Sequence, residues 1–157
     1  MEPGPHIDYR VIPFGGRDYP KTLLLRHEVL RRPWHQSILE DDLEGEASDF
    51  IWGAFDGDRL VGMAVLQDTG QPYDRLRYMA VDAAYRGRGI GAGIARQFET
   101  LARGKGKKGI RLMARLSVVP FYEKLGYRKE GEAFVPSHIA LEHMDMVLDF
   151  PDPLEGS

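Results

Sequence analysis

The stretch Met79-Ala80-Val81-Asp82-Ala83-Ala84-Tyr85-Arg86-Gly87-Arg88-Gly89-Ile90-Gly91-Ala92-Gly93-Ile94 decides how this chain folds. It reads as an apolar strand, a short turn, and glycines opening directly into a helix. Ile90, Ile94, Phe98 and Leu101 recur at helical spacing and define its buried face. The start of a helix carries backbone N–H groups without intrahelical partners and a partial positive charge. Glycine lets a large anion approach that backbone, since no Cβ stands in the way. Arg86 and Arg88 add formal positive charge to the same turn. The stretch therefore predicts a cradle for a phosphorylated ligand, a pyrophosphate foremost.

Outward from this point, strands and helices alternate. Upstream, Ile7 to Phe14 reads as a strand, and Asp18 and Pro20 start a helix through Leu23, Leu24, His27 and Leu30 that Pro33 ends. Phe50 to Phe55 and Leu60 to Leu66 are joined by Asp56-Gly57-Asp58-Arg59, a hairpin signal, and Leu76 to Val81 is the next strand. Downstream, Ile110 to Ala114 reads as a strand and Pro120 to Leu125 as a short helix stopped by Gly126. Tyr127 to Glu130 and Ile139 to Phe150 close the pattern as strands. The order β-α-(α)-β-β-β-α-β-α-β-β predicts an α/β (α+β) sheet with helices packed on it. One domain is expected over residues 1–150, with 151–157 as a flexible tail.

Composition narrows the function classes. The chain has no cysteine, which excludes disulfides, thiolate metal sites and a cysteine nucleophile. Neither an apolar leader nor a run approaching the ~20 residues of a bilayer span is read, so a soluble, cytoplasmic protein without membrane partners is expected. The net charge of −3 argues against nucleic acid as a partner. Charge is nonetheless uneven. Glu40, Asp41, Asp42, Glu44, Glu46 and Asp49 form an acidic run, and Arg103, Lys105, Lys107, Lys108, Arg111 and Arg115 a basic one.

The alternatives for a glycine-rich anion site fail on detail. Gly91 is followed by Ala92-Gly93-Ile94, without the lysine and hydroxyl of a nucleotide triphosphatase loop. A dinucleotide fold wants its glycines after the first strand, whereas three antiparallel-looking strands come before these. Asp68-Thr69-Gly70 matches the aspartic-protease tripeptide, but the following Gln71-Pro72-Tyr73 suits a turn. By contrast, Arg86-x-x-Gly89-x-Gly91 directly after a strand ending Met79-Ala80-Val81 resembles the acyl-CoA motif of the GNAT superfamily of N-acetyltransferases. Pro120-Phe121-Tyr122-Glu123-Lys124-Leu125-Gly126-Tyr127 resembles that family's second motif. The chain departs from the family at Met113-Ala114, where Asn-Ala is usual, and at Val118, where a small residue is usual.

The resemblance implies a mixed, mostly antiparallel central sheet of about six to seven strands with helices on both faces. It also implies an acyl-CoA cleft where one strand pair splays at a bulge. The implied reaction moves the acetyl group of acetyl-CoA to a primary amine, directly and without a covalent enzyme intermediate. Backbone N–H groups at Met79, Ala80 and Val81 would hold the pantetheine, and those of Gly87, Arg88, Gly89, Ile90, Gly91 and Ala92 the pyrophosphate beside Arg86. Tyr122 is the expected general acid. His143 is the first candidate base, with Glu142 and Glu40 as alternatives. Glu40, Asp41 and Asp42 are expected to attract a cationic amine, and a homodimer follows from the resemblance alone. No metal is expected: His138 and His143, five residues apart in one predicted strand, would face opposite ways. The rival from another class is a non-catalytic acyl-CoA-binding module.

Overall fold

The computed structural model describes residues 6–137 and 139–151. The expectations for the tail beyond residue 151 and for His138 lie outside them. Among the described residues seven strands form: β1 (Asp8–Val11), β2 (Phe50–Asp56), β3 (Arg59–Gln67), β4 (Tyr73–Val81), β5 (Gly109–Arg115), β6 (Arg128–Phe134) and β7 (His143–Asp149). Among the same residues, three α-helices accompany them: α1 (Tyr19–Arg26), α2 (Ile90–Gly104) and α3 (Val119–Lys124). The sheet order is β1-β2-β3-β4-β5-β7-β6, and it is mostly antiparallel, with β4 and β5 running parallel. A mixed α/β fold with a predominantly antiparallel sheet is thus what the chain forms.

The chain divides into two compact units, and β4 and α2 each pass from one to the other. The first contains β1 to β3, α1, Tyr78–Arg96 and the segment between α1 and β2. Its core gathers Ile12, Ile51, Phe55, Met63, Val65 and Ala80. β3 is buried continuously from Leu60 to Leu66, so both of its faces are covered and no alternation survives in its sequence. Gly62 matters here: a Cβ on it would lie 2.6 Å from Ile90 Cγ2. The missing side chain lets the first turn of α2 settle directly on β3.

The second unit contains Asp68–Arg77 and the chain from Gln97 onward. Here β5 pairs with β7 along its whole length, from Gly109↔Asp149 to Arg115↔His143. Much of the basic run is spent within this unit. Lys105 and Lys107 bind Asp68 at 3.3 and 2.8 Å and flank the buried Asp74 at 2.7 and 3.6 Å. Asp68 also accepts the Gly70 N–H, so Asp68-Thr69-Gly70 is a turn that clips lysines. Arg111 pairs with Glu130, and Arg103 lies over the Phe150 ring.

Three local expectations need correction. α1 stops at Arg26 and continues as a π-helical turn (His27–Arg31) and a 3-10 turn (Arg32–Trp34) holding Pro33. Asp18 does not cap the helix with its side chain, which binds Lys21 Nζ at 2.8 Å. The last strand begins only at His143, because residues 135–142 carry no strand among those described.

Candidate active site

β4 supplies the first part of the site. Tyr78 has φ +56, a left-handed backbone for a bulky residue in the middle of a strand. A left-handed residue inside a strand redirects the backbone that follows it. The β4–β5 ladder runs from Tyr73↔Gly109 to Arg75↔Arg111, while β4 goes on to Val81. Ala80 is buried in the core of its unit, and Met79 and Val81 are half-buried.

The turn after β4 is tied down residue by residue. The Asp82 N–H donates to Val61 O at 2.8 Å. Asp82 Oδ1 accepts the Ala84 N–H at 2.9 Å, and Oδ2 binds Arg59 at 2.7 Å. Together the Ala84 N–H and the Arg59 guanidinium hold this carboxyl below its ordinary range. Tyr85 donates its hydroxyl to Asp56 at 2.5 Å, and the Arg88 guanidinium sits 5.0 Å from its ring centroid. Gly87 and Gly89 then take φ +78 and +79. A Cβ at either would meet nothing within 4 Å, so backbone conformation demands glycine there and the approach stays open.

Gly89 O accepts the Gly93 N–H at 2.9 Å, closing the first turn of α2. The N–H groups of Ile90, Gly91 and Ala92 therefore stand at the helix start with no acceptor one turn back. Arg86 is exposed, and among the described residues its guanidinium makes no ion pair. Open backbone donors, a helix N-terminus and an unspent cation suit the pyrophosphate of a CoA ester.

The remaining candidates are placed as follows. Tyr122, in α3, is buried, edge-on to Phe121 at 4.9 Å and to Tyr127 at 5.6 Å. Burial pushes its phenol well above the ordinary tyrosine range, so it keeps its proton. His143 opens β7, is 3% exposed, and sits 2.7 Å through Nδ1 from Leu141 O. A carbonyl only accepts, so Nδ1 carries a proton and donates it to Leu141 O. Glu142 is exposed beside it.

Of the acidic trio, Glu40 and Asp42 are exposed, whereas Asp41 is committed internally. Its carboxylate takes both Arg31 Nε (3.1 Å) and Nη2 (2.6 Å) and accepts the Tyr78 hydroxyl at 2.7 Å. Any attraction of a cation by this segment falls to Glu40 and Asp42. Among the described residues no cluster of three or more His, Asp or Glu is arranged to hold a metal ion.

Residues 24–148 match the family model for the acetyltransferase (GNAT) domain. This chain belongs to the GNAT family. It is 32% identical to the N-acetyltransferase YjcF of Bacillus subtilis over 69% of its own length and 75% of that protein's. With YitI of the same organism it shares 31% identity over 76% of this chain and 87% of that one. The PaiA N-acetyltransferase of Thermoplasma acidophilum, solved with coenzyme A, has the same fold. It matches with a TM-score of 0.70 at 16% identity, over 92% of this chain and 99% of that one. The chain is accordingly an acyltransferase of the acetyl-CoA-dependent kind.

Within this GNAT domain, the side chain that sequence reasoning missed is Tyr78. It directly precedes Met79-Ala80-Val81, and nothing in a tyrosine announces a left-handed backbone.

Proposed function

We propose that this GNAT enzyme acetylates a primary amine, small and cationic or the amine of a lysine or chain N-terminus, by direct transfer in a ternary complex. The observation that carries the reading is the open donor cradle at residues 86–92, built on Gly87 and Gly89 in left-handed conformations. Acetyl-CoA supplies the acetyl group as an activated thioester. The N–H groups of residues 87–92 with Arg86 and Arg88 would hold its pyrophosphate. Those of Met79, Ala80 and Val81 would hold the pantetheine and polarise the carbonyl, one well-aimed donor being worth about 3 kcal/mol.

An alkylamine is mostly protonated at neutral pH, and freeing it costs roughly 4 kcal/mol. His143, its ring oriented by the Nδ1 contact with the Leu141 carbonyl, is the residue assigned to take that proton when neutral. Tyr122, kept protonated by burial, is suited to donate toward the departing sulfur. Exposed Glu40 and Asp42 favour an acceptor that arrives as a cation.

The test is an amine panel with acetyl-CoA, following thiol release; with no cysteine in the chain, the assay carries no protein background. Intersecting initial-velocity lines are expected for a ternary complex, and parallel lines would disprove direct transfer. Tight CoA binding with no turnover on any amine would leave a binding module instead.

A further inference from the structure

The left-handed Tyr78 of β4 is held by a clamp of its own. Arg26 is fully buried on α1, its guanidinium fixed by Glu46 at 2.6 and 2.9 Å and by Thr22 Oγ1 at 3.0 Å. Glu46 is buried too and accepts the Tyr19 hydroxyl at 2.8 Å. That guanidinium lies 4.7 Å from the centroid of the Tyr78 ring, and Arg31 lies 5.7 Å from it. Arg31 is itself gripped by the two oxygens of Asp41, and Asp41 Oδ2 accepts the Tyr78 hydroxyl. The side chain of Tyr78 is thus fixed at its ring by two cations and at its tip by a carboxylate.

This is an expensive arrangement for its neighbourhood. Burying an arginine and a glutamate costs several kilocalories of desolvation that well-packed apolar residues would avoid. A left-handed tyrosine adds strain, and such strain persists only where the surroundings over-determine it. Both features meet at one residue, whose next three neighbours are Met79, Ala80 and Val81. Rotating the backbone at residue 78 would swing the N–H groups that follow.

We infer that Tyr78 is a positioning residue: the Arg26–Glu46 and Arg31–Asp41 pairs lock its side chain, and through it the aim of the N–H groups at residues 79–81. The inference rests on those N–H groups meeting the pantetheine arm, as set out under the proposed function. It concerns the arm alone, because the turn at 86–92 is secured separately through Asp82, Arg59, Tyr85 and Asp56.

Calorimetric titration with two ligands separates these parts: CoA, and the 3′-phosphorylated adenosine diphosphate that is CoA without its pantetheine. In Tyr78→Phe, CoA affinity should fall about tenfold, the size of one lost hydrogen bond to a charged group. Affinity for the truncated nucleotide should stay within about twofold, and a merely structural role would weaken both ligands alike. Asp41→Asn, which keeps an acceptor oxygen but loses the charge, should reproduce the same selective loss should Tyr78→Phe not fold. In Tyr78→Phe carrying Asp41→Asn, the two losses should add to less than their sum, since both act on the one contact between the Tyr78 hydroxyl and Asp41. Unchanged CoA-to-nucleotide selectivity in folded variants, or parallel loss of both ligands, overturns the inference and leaves the cosubstrate reading standing. Wild-type protein that binds neither ligand overturns the cosubstrate reading, and the inference with it.

Discussion

Gly89 and Tyr78 occupy the same left-handed region of backbone space for opposite reasons. At Gly89 the chain uses a residue for which φ +79 costs nothing, and no neighbouring atom limits what approaches. Gly89→Ala should therefore cost about 1 kcal/mol of stability from backbone strain alone. It should weaken CoA binding further by placing a methyl group on the anion's path, which titration of folded protein would show. At Tyr19 a polar residue is held by its surroundings. Burial first, and then the Glu46 carboxylate, push its phenol up to about 12. An unfolded tyrosine titrates near 10, so between pH 10 and 12 the folded state binds the extra proton. Its contribution to stability is full below pH 10 and lost as pH rises toward 12. Denaturation midpoints should fall across this window, and Tyr19→Phe should flatten the slope; an equally steep slope in the variant would remove Tyr19 from the account.

Among the elements, α1 departs furthest from the pattern of its sequence. Leu24 is 70% exposed, whereas Arg26 is fully buried. Apolar spacing points to the leucines, and Leu25 is buried, but the helix also turns Tyr19, Thr22 and Arg26 inward, where Glu46, twenty residues after Arg26, offers a buried counter-charge. Glu46→Ala should cost about 3–5 kcal/mol, since it strands the buried guanidinium; urea unfolding measures it. Replacing both partners by apolar residues of similar volume should cost much less. Gly109 is a second element-scale constraint, on the β5–β7 pair. A Cβ there would sit 2.1 Å from the Leu148 carbonyl oxygen, a backbone atom that cannot swing aside. Gly109→Ala should destabilise by about 3 kcal/mol at least, through displaced strands, and a midpoint close to wild type would contradict that contact.

For the whole molecule, ligand linkage gives the broadest test. CoA that binds only the folded chain should stabilise it by about 2.7 kcal/mol at a hundred times its dissociation constant, visible as a rise in Tm. Much of this architecture was legible in residue order. The hairpin at Asp56–Arg59, the helix opening at Ile90 and the glycine stop at Gly126 rest on local rules of turn and cap chemistry, and all three appear where those rules put them. The turn proposed to cradle the phosphate was legible for the same reason: Gly87, Gly89 and the helix start at Ile90 are contiguous in the chain. Charge was read less well. The acidic run reads locally as a set of like charges, with Glu40, Asp41 and Asp42 expected to attract a cation, yet Glu46 is buried against Arg26 and Asp41 is spent on Arg31 and Tyr78. Those partners lie 10 to 37 residues away in sequence, so no local pattern could pair them. Short-range chemistry therefore settled these elements and the left-handed glycine turn along the chain. The clamp on Tyr78 belongs to the tertiary structure, because a buried charge declares its role only once the distant group that neutralises it has been brought alongside.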